Sequence, residues 1–73
     1  MGRKEEHIVG LDIGSTKVST LIAAVRDSGL EPIGVGVAES KGIKKGSVVN
    51  LEAVAESIKR SVGEAEVMAR CEV

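Results

Sequence analysis

One short stretch of the chain carries the side chains best suited to bind a charged ligand. It spans Ile8–Lys17 and reads IVGLDIGSTK. Asp12 is an acid that could anchor a divalent metal ion through water. Ser15 and Thr16 offer hydroxyl donors, and Lys17 adds a compact positive charge suited to phosphate oxygens. The candidate residues of this phosphate and metal site are Asp12, Gly14, Ser15, Thr16 and Lys17.

The same stretch is predicted to fold as a β-hairpin. Its first strand is the apolar run Ile8–Leu11, and its second is Val18–Val25, which is rich in β-branched and small residues. Gly14 lies in the turn, where tolerance of a positive φ would let backbone N–H groups face a ligand. The sequence has neither the GxxxxGK[ST] pattern nor GxGxxG. Because such residues are common in hairpin turns, spacing alone leaves a turn without a ligand as an equal alternative.

A third strand and a lysine-rich loop follow the hairpin. The strand is predicted over Pro32–Glu39, where Gly34, Gly36 and Ala38 form a small face. This face either leaves room for another backbone to approach closely or is simply exposed. The next segment, Lys41–Gly46, is predicted to be a flexible, solvated loop rather than a phosphate contact.

The last predicted element is a helix that ends near Ala69. Asn50 is suited to cap its N-terminus, and Glu56 and Arg60 have the spacing of a favourable pair on one helix face. Its apolar face, by the 3.6-residue period, is predicted to contain Leu51, Val54, Ala55, Ile58, Val62 and Ala65.

The order strand, strand, strand, helix predicts an α/β fold in which an antiparallel three-stranded meander is followed by a helix. A helix in this position usually leads to a further strand, so we expect a truncated, single partial domain over residues 1–73. Residues 1–6 are expected to be a flexible N-terminus, and residues 7–73 the start of the larger domain. Strand one is apolar on both faces, which predicts a central position in the sheet.

Composition argues against several classes of function. The net charge is −1 and the chain has no Phe, Tyr or Trp, so nothing favours nucleic-acid binding by charge or by base stacking. No apolar run approaches the ~20 residues that a membrane-spanning helix needs. Cys71 is the single cysteine and cannot form an internal disulfide, which fits a reducing compartment.

Two segments resemble a known family. VGLDIGSTKV resembles the first phosphate motif of the actin-like ATPase superfamily. Ser40–Ala69, which reads SKGIKKGSVVNLEAVAESIKRSVGEAEVMA, is similar to the segment after the third strand in the FtsA family of bacterial cell-division proteins. The likeness covers about residues 8–73, and the two parts in order indicate the FtsA family. The resemblance implies the first part of a ribonuclease-H-like, actin-like ATPase subdomain.

The resemblance also implies a function for the intact protein, which would bind ATP and Mg²⁺ and have weak ATPase activity. Asp12 would organise the metal through water, and Gly14, Ser15, Thr16 and Lys17 would face the phosphates. The implied partners are FtsZ and other division proteins. The implied location is the cytoplasm at the inner face of the cell membrane, with attachment through a C-terminal helix outside this chain.

For the chain by itself we expect no catalytic residues and no ATP hydrolysis, because phosphoryl transfer needs groups on several sides of the phosphate. Self-association is expected if strand one keeps an unpaired edge. Two alternatives stay open. One is another actin-superfamily ATPase, such as a sugar kinase or an activator ATPase, and the other is a small non-catalytic interaction module in which Asp12 is a turn residue.

Overall fold

A computed structural model describes residues 6–73 of the chain. Within this range the elements are β1 (His7–Ile13), β2 (Lys17–Arg26), β3 (Gly29–Glu39), β4 (Ile43–Lys44), β5 (Ser47–Val48) and α1 (Leu51–Ala69). The predicted α/β fold, a three-stranded antiparallel meander followed by a helix, is confirmed. The predicted flexible N-terminus lies outside the described residues, apart from Glu6.

The main sheet has the strand order β1-β2-β3, with antiparallel pairing throughout. Asp12 pairs with Ser19 across β1 and β2, and Thr20 pairs with Gly36 across β2 and β3. Among the described residues β1 pairs with β2 alone, so the prediction that strand one is central is wrong for this sheet. Its apolar side chains are not buried here, because α1 packs over β3 and β2 instead.

Close contact between α1 and β3 is possible because β3 presents glycines to the helix. A Cβ at Gly36 would collide with the backbone carbonyl oxygen of Ser61, and one at Gly34 would collide with that of Ala65. The helix contributes small side chains at the same places, and Ser61 and Ala65 are fully buried. Of the two alternatives for the small face of strand three, the structure therefore shows the close approach of another backbone, at Gly34 and Gly36.

The buried face of α1 differs from the predicted apolar face. The structure buries Val54, Ser57, Ser61 and Ala65, whereas Leu51 is 73% exposed and Ile58 is half-buried. The helix is thus rotated so that its smallest residues face the sheet. The physical reason is shape, since glycines on β3 admit a helix backbone only where the helix side chains are small.

Buried hydroxyl groups between α1 and the sheet satisfy one another. The Ser61 hydroxyl donates to the Gly36 carbonyl oxygen at 3.1 Å and lies 2.6 Å from the Thr20 hydroxyl. Because Ser61 has one hydroxyl proton, Thr20 is the donor in the second bond. The polar groups at this contact are thereby paired, which avoids the cost of about 1–3 kcal/mol for an unpaired buried group.

Both ends of α1 are capped. The Asn50 side chain accepts a hydrogen bond from the Ala53 N–H at 3.1 Å, which confirms the predicted N-cap. At the other end Arg70 has a φ of 56°, and the N–H groups of Arg70 and Cys71 both donate to the Glu66 carbonyl oxygen. No helix among the described residues is both long enough and apolar enough to span a membrane.

The sheet face opposite α1 is uncovered in the described structure. This uncovered face contains Ile8, Gly10, Asp12, Ser19, Leu21, Val35 and Val37. Its apolar members are between 41% and 48% exposed.

The glycine contact predicts that Gly36→Ala will destabilise the fold. The added methyl meets helix backbone, which cannot move aside as a side chain can, so we expect a loss of about 2–3 kcal/mol in the free energy of unfolding. Gly10→Ala is the matched control, since a Cβ there meets nothing within 4 Å. Urea unfolding followed by far-UV circular dichroism measures both, and equal stability of the two variants would contradict the packing account.

The uncovered face and the β1 edge predict that the chain by itself will self-associate. Ile8→Lys adds a charge to both features and is expected to shift the molecule towards monomer in sedimentation velocity. Val67→Lys is the control because Val67 is 79% exposed on α1, away from the sheet. A compact parental monomer that unfolds cooperatively would refute this prediction.

Candidate functional site

The predicted site lies at the turn between β1 and β2. Ile13 and Val18 form the last register pair, and the Gly14 N–H donates to the Lys17 carbonyl oxygen at 2.9 Å to close the turn. Gly14 is not among the residues with positive φ, and its N–H is used within the turn, so neither the positive φ that glycine permits nor an open N–H occurs at this position. A Cβ on Gly14 would lie 3.3 Å from the Lys17 carbonyl oxygen, and glycine here serves the tightness of the turn.

The remaining donors of the turn are available to a ligand. The side chains of Ser15, Thr16 and Lys17 are exposed. The backbone N–H groups of Ser15 and Thr16 donate to no acceptor among the described residues, and Lys17 forms no ion pair with any of them. This turn therefore offers two N–H groups, two hydroxyls and one cation within three consecutive residues, which is a donor set suited to phosphate oxygens.

Asp12 lies on the uncovered face, two residues before the turn. It lines a shallow open groove with neighbours that include Ser19, Leu21 and Val35. Its carboxylate is exposed and accepts no hydrogen bond from another described residue. Residues 6–73 contain no cluster of three or more acidic, histidine or cysteine side chains that could hold a metal. A lone carboxylate suits a magnesium ion that keeps most of its waters and takes other ligands from phosphate.

A second hairpin contacts this turn, and sequence reasoning missed it. β4 and β5 pair through the turn Lys45–Gly46, within the segment Lys41–Gly46 that was predicted to be a flexible loop. The Gly46 N–H donates to the Ser15 hydroxyl oxygen at 3.3 Å. The signal in the sequence was Gly46 in a two-residue turn. Strands β4 and β5 have two residues each, which is too short to show the alternation of side chains that identifies a strand.

The segment around the second hairpin is fixed at several points. The Ser40 N–H donates to the Thr16 carbonyl oxygen at 2.9 Å, and the Lys41 N–H donates to the Ser57 hydroxyl oxygen at 3.1 Å. The Gly42 carbonyl oxygen accepts from the N–H groups of Val49 and Asn50. The Ser40 hydroxyl is buried and has no hydrogen-bond partner among the described groups. Backbone contacts thus connect the candidate site to the start of α1.

Taken together, the described residues define an α/β unit whose hairpin turn carries an exposed acid, open hydrogen-bond donors and a lysine. No protein-family model matches the sequence. The chain is, however, similar to cell-division proteins. It is 49% identical to cell division protein FtsA of Pseudomonas aeruginosa over 90% of the chain, and 42% identical to that of Escherichia coli K12 over the same share.

A third relative is FtsA of Buchnera aphidicola from Schizaphis graminum, which is 42% identical over the whole chain. The chain belongs to the FtsA family, as its two quoted segments indicate. It spans 16–18% of the length of these relatives.

The contact between the two hairpins predicts a change in amide exchange. Ser15→Ala removes the acceptor of the Gly46 N–H, and we expect the Gly46 amide to exchange with solvent about fivefold faster. Thr16→Ala is the control, because Thr16 contacts Ser40 through its backbone carbonyl, which the substitution keeps. Solvent-exchange NMR measures both, and an unchanged Gly46 rate in Ser15→Ala would show that the contact is absent in solution.

Proposed function

We propose that the intact protein binds ATP with Mg²⁺ and that the turn between β1 and β2 contacts its phosphates. The observation that supports this proposal is the donor set of the turn. The Ser15 and Thr16 N–H groups and the Lys17 cation have no partner among the described residues, and all lie at one exposed tip. Donors of this kind are satisfied by water or by an anionic ligand, and a polyphosphate supplies several oxygens.

Asp12 is proposed to hold Mg²⁺ through water. Its exposed, unpartnered carboxylate fits that role better than a structural one, since it stabilises no other described group. When bound, Mg²⁺ would neutralise part of the charge on the phosphates. Ser15, Thr16 and Lys17 would bind phosphate oxygens from one side, while Gly14 keeps the turn tight.

The same geometry limits what the chain can do by itself. The candidate donors belong to one hairpin and approach the phosphates from one direction. The acids of α1, such as Glu52 and Glu56, lie on its exposed side. We therefore propose that hydrolysis of ATP, expected to be weak, needs parts of the intact protein beyond this chain.

We extend the proposal to the cellular role on the strength of family membership. The intact protein would link the FtsZ ring to the cytoplasmic face of the cell membrane and contact other division proteins. Membrane attachment would use an amphipathic C-terminal helix that is not part of this chain. The family assignment favours this role over a sugar kinase or an activator ATPase.

The proposed site predicts that Asp12→Ala will weaken Mg²⁺-dependent ATP binding by the intact protein. Charged hydrogen bonds contribute about 1.5–3 kcal/mol, so we expect a loss of tenfold or more in affinity, measured by isothermal titration calorimetry. Asp27→Ala is the matched control. Asp27 is likewise an exposed acid and lies in the turn at the other end of β2, about 30 Å from the site.

A comparison without the metal makes the result specific. The affinity difference between Asp12→Ala and the parent should shrink when Mg²⁺ is replaced by EDTA, because the proposed role of Asp12 is to hold the metal. If Asp12→Ala binds ATP in the presence of Mg²⁺ as tightly as the parent does, the proposal is contradicted. That result would favour the interaction module, in which Asp12 is a turn residue.

A further inference from the structure

We propose that the β4–β5 hairpin is a second arm of the phosphate site, in which Gly46 orients the Ser15 hydroxyl and Lys45 adds a positive charge. This inference rests on the proposed function and assigns a role to Lys41–Gly46, which the sequence suggested was only a solvated loop. Its ligand is the polyphosphate of a nucleotide, recognised by charge and by hydrogen-bond donors.

The contact between the hairpins fixes the chemistry of Ser15. The Gly46 N–H donates to the Ser15 hydroxyl oxygen at 3.3 Å, which occupies one of its lone pairs. No described acceptor takes the hydroxyl proton of Ser15. That proton is free to point to a ligand oxygen, and the bond from Gly46 polarises the hydroxyl for donation. The contact from the second hairpin therefore leaves the Ser15 hydroxyl as a hydrogen-bond donor at the tip of the β1–β2 hairpin.

The backbone of the second hairpin places a lysine where another residue would fit better. Lys45 has a φ of 50° and Gly46 a φ of 79°, the pattern of a tight two-residue hairpin turn. Asparagine, aspartate or glycine adopts the first of these conformations at lower cost than lysine. Lys45 adopts this less favourable conformation directly before Gly46, which contacts Ser15. We therefore infer that its positive charge has a role in binding the ligand.

The charges around the tip favour an anion. Lys17, Lys44 and Lys45 form no ion pair with any described acid. Glu39 lies opposite Lys17 in the β2–β3 register, and no ion pair joins them. Asp12, the other nearby acid, is assigned to the metal. Lys17 lies in the turn itself and Lys45 directly precedes Gly46, so two cations without an ion pair adjoin the open donors. This arrangement suits a ligand with several negative charges better than one with a single charge.

The test is ATP binding by the intact protein in the presence of Mg²⁺, followed by isothermal titration calorimetry. Lys45→Asn removes the charge and suits the left-handed conformation, so the turn is kept. We expect affinity to fall by about twofold to fivefold, the range for one exposed charge, with a smaller difference at high salt. Lys45→Arg keeps the charge and should keep the affinity. Lys59→Asn on α1 is the control.

The outcomes separate this inference from the proposed function. Weaker binding in Asp12→Ala and in Lys45→Asn, with parental binding in Lys59→Asn, supports both. Weaker binding in Asp12→Ala, with equal affinities of Lys45→Asn and Lys59→Asn, overturns the second arm and leaves the phosphate turn in place. Parental binding in both Asp12→Ala and Lys45→Asn overturns both.

Discussion

The structure depends on how closely α1 approaches β3. Gly34 and Gly36 leave no side chain between the strand and the helix, and a Cβ at either position would collide with helix backbone. The helix packs the small side chains of Ser61 and Ala65 against these glycines, and both residues are fully buried. Because the chain has no aromatic residue, its core gains little area per side chain, and close backbone packing with paired hydroxyls takes the place of bulk.

This packing also positions the candidate site. The segment between β3 and α1 is held at both ends, by the bond from the Ser40 N–H to the Thr16 carbonyl oxygen and by the bonds to the Gly42 carbonyl oxygen at the helix start. Between these points the second hairpin lies against the tip of the first, where Gly46 contacts Ser15. The start of α1 thus holds the segment between β3 and α1 in place, and this segment in turn contacts the β1–β2 turn. A disturbance of the helix–strand contact should therefore reach the proposed phosphate donors.

Sequence reasoning identified elements whose signals are local. The N-cap at Asn50 and the alternation along strand three needed no tertiary information. The buried face of α1 was not predicted because the helical period was read from the hydrophobic residues alone. The structure buries Ser57 more deeply than Ile58, since the shape of β3 admits only small side chains. The candidate turn was selected from residue types and family resemblance, but its contact with Gly46 joins residues 31 apart in sequence and needs the fold.

The central claim, that the β1–β2 turn and the second hairpin together face a nucleotide's phosphates, is tested most directly with a paramagnetic metal. Mn²⁺ replaces Mg²⁺ with ATP in the intact protein, and glycine amides are observed by NMR. We predict that Gly14 and Gly46 broaden when ATP is present, while Gly29, which pairs with Arg26 at the far end of β2, stays sharp. Saturating Mn²⁺ and ATP with sharp Gly14 and Gly46 signals would contradict it.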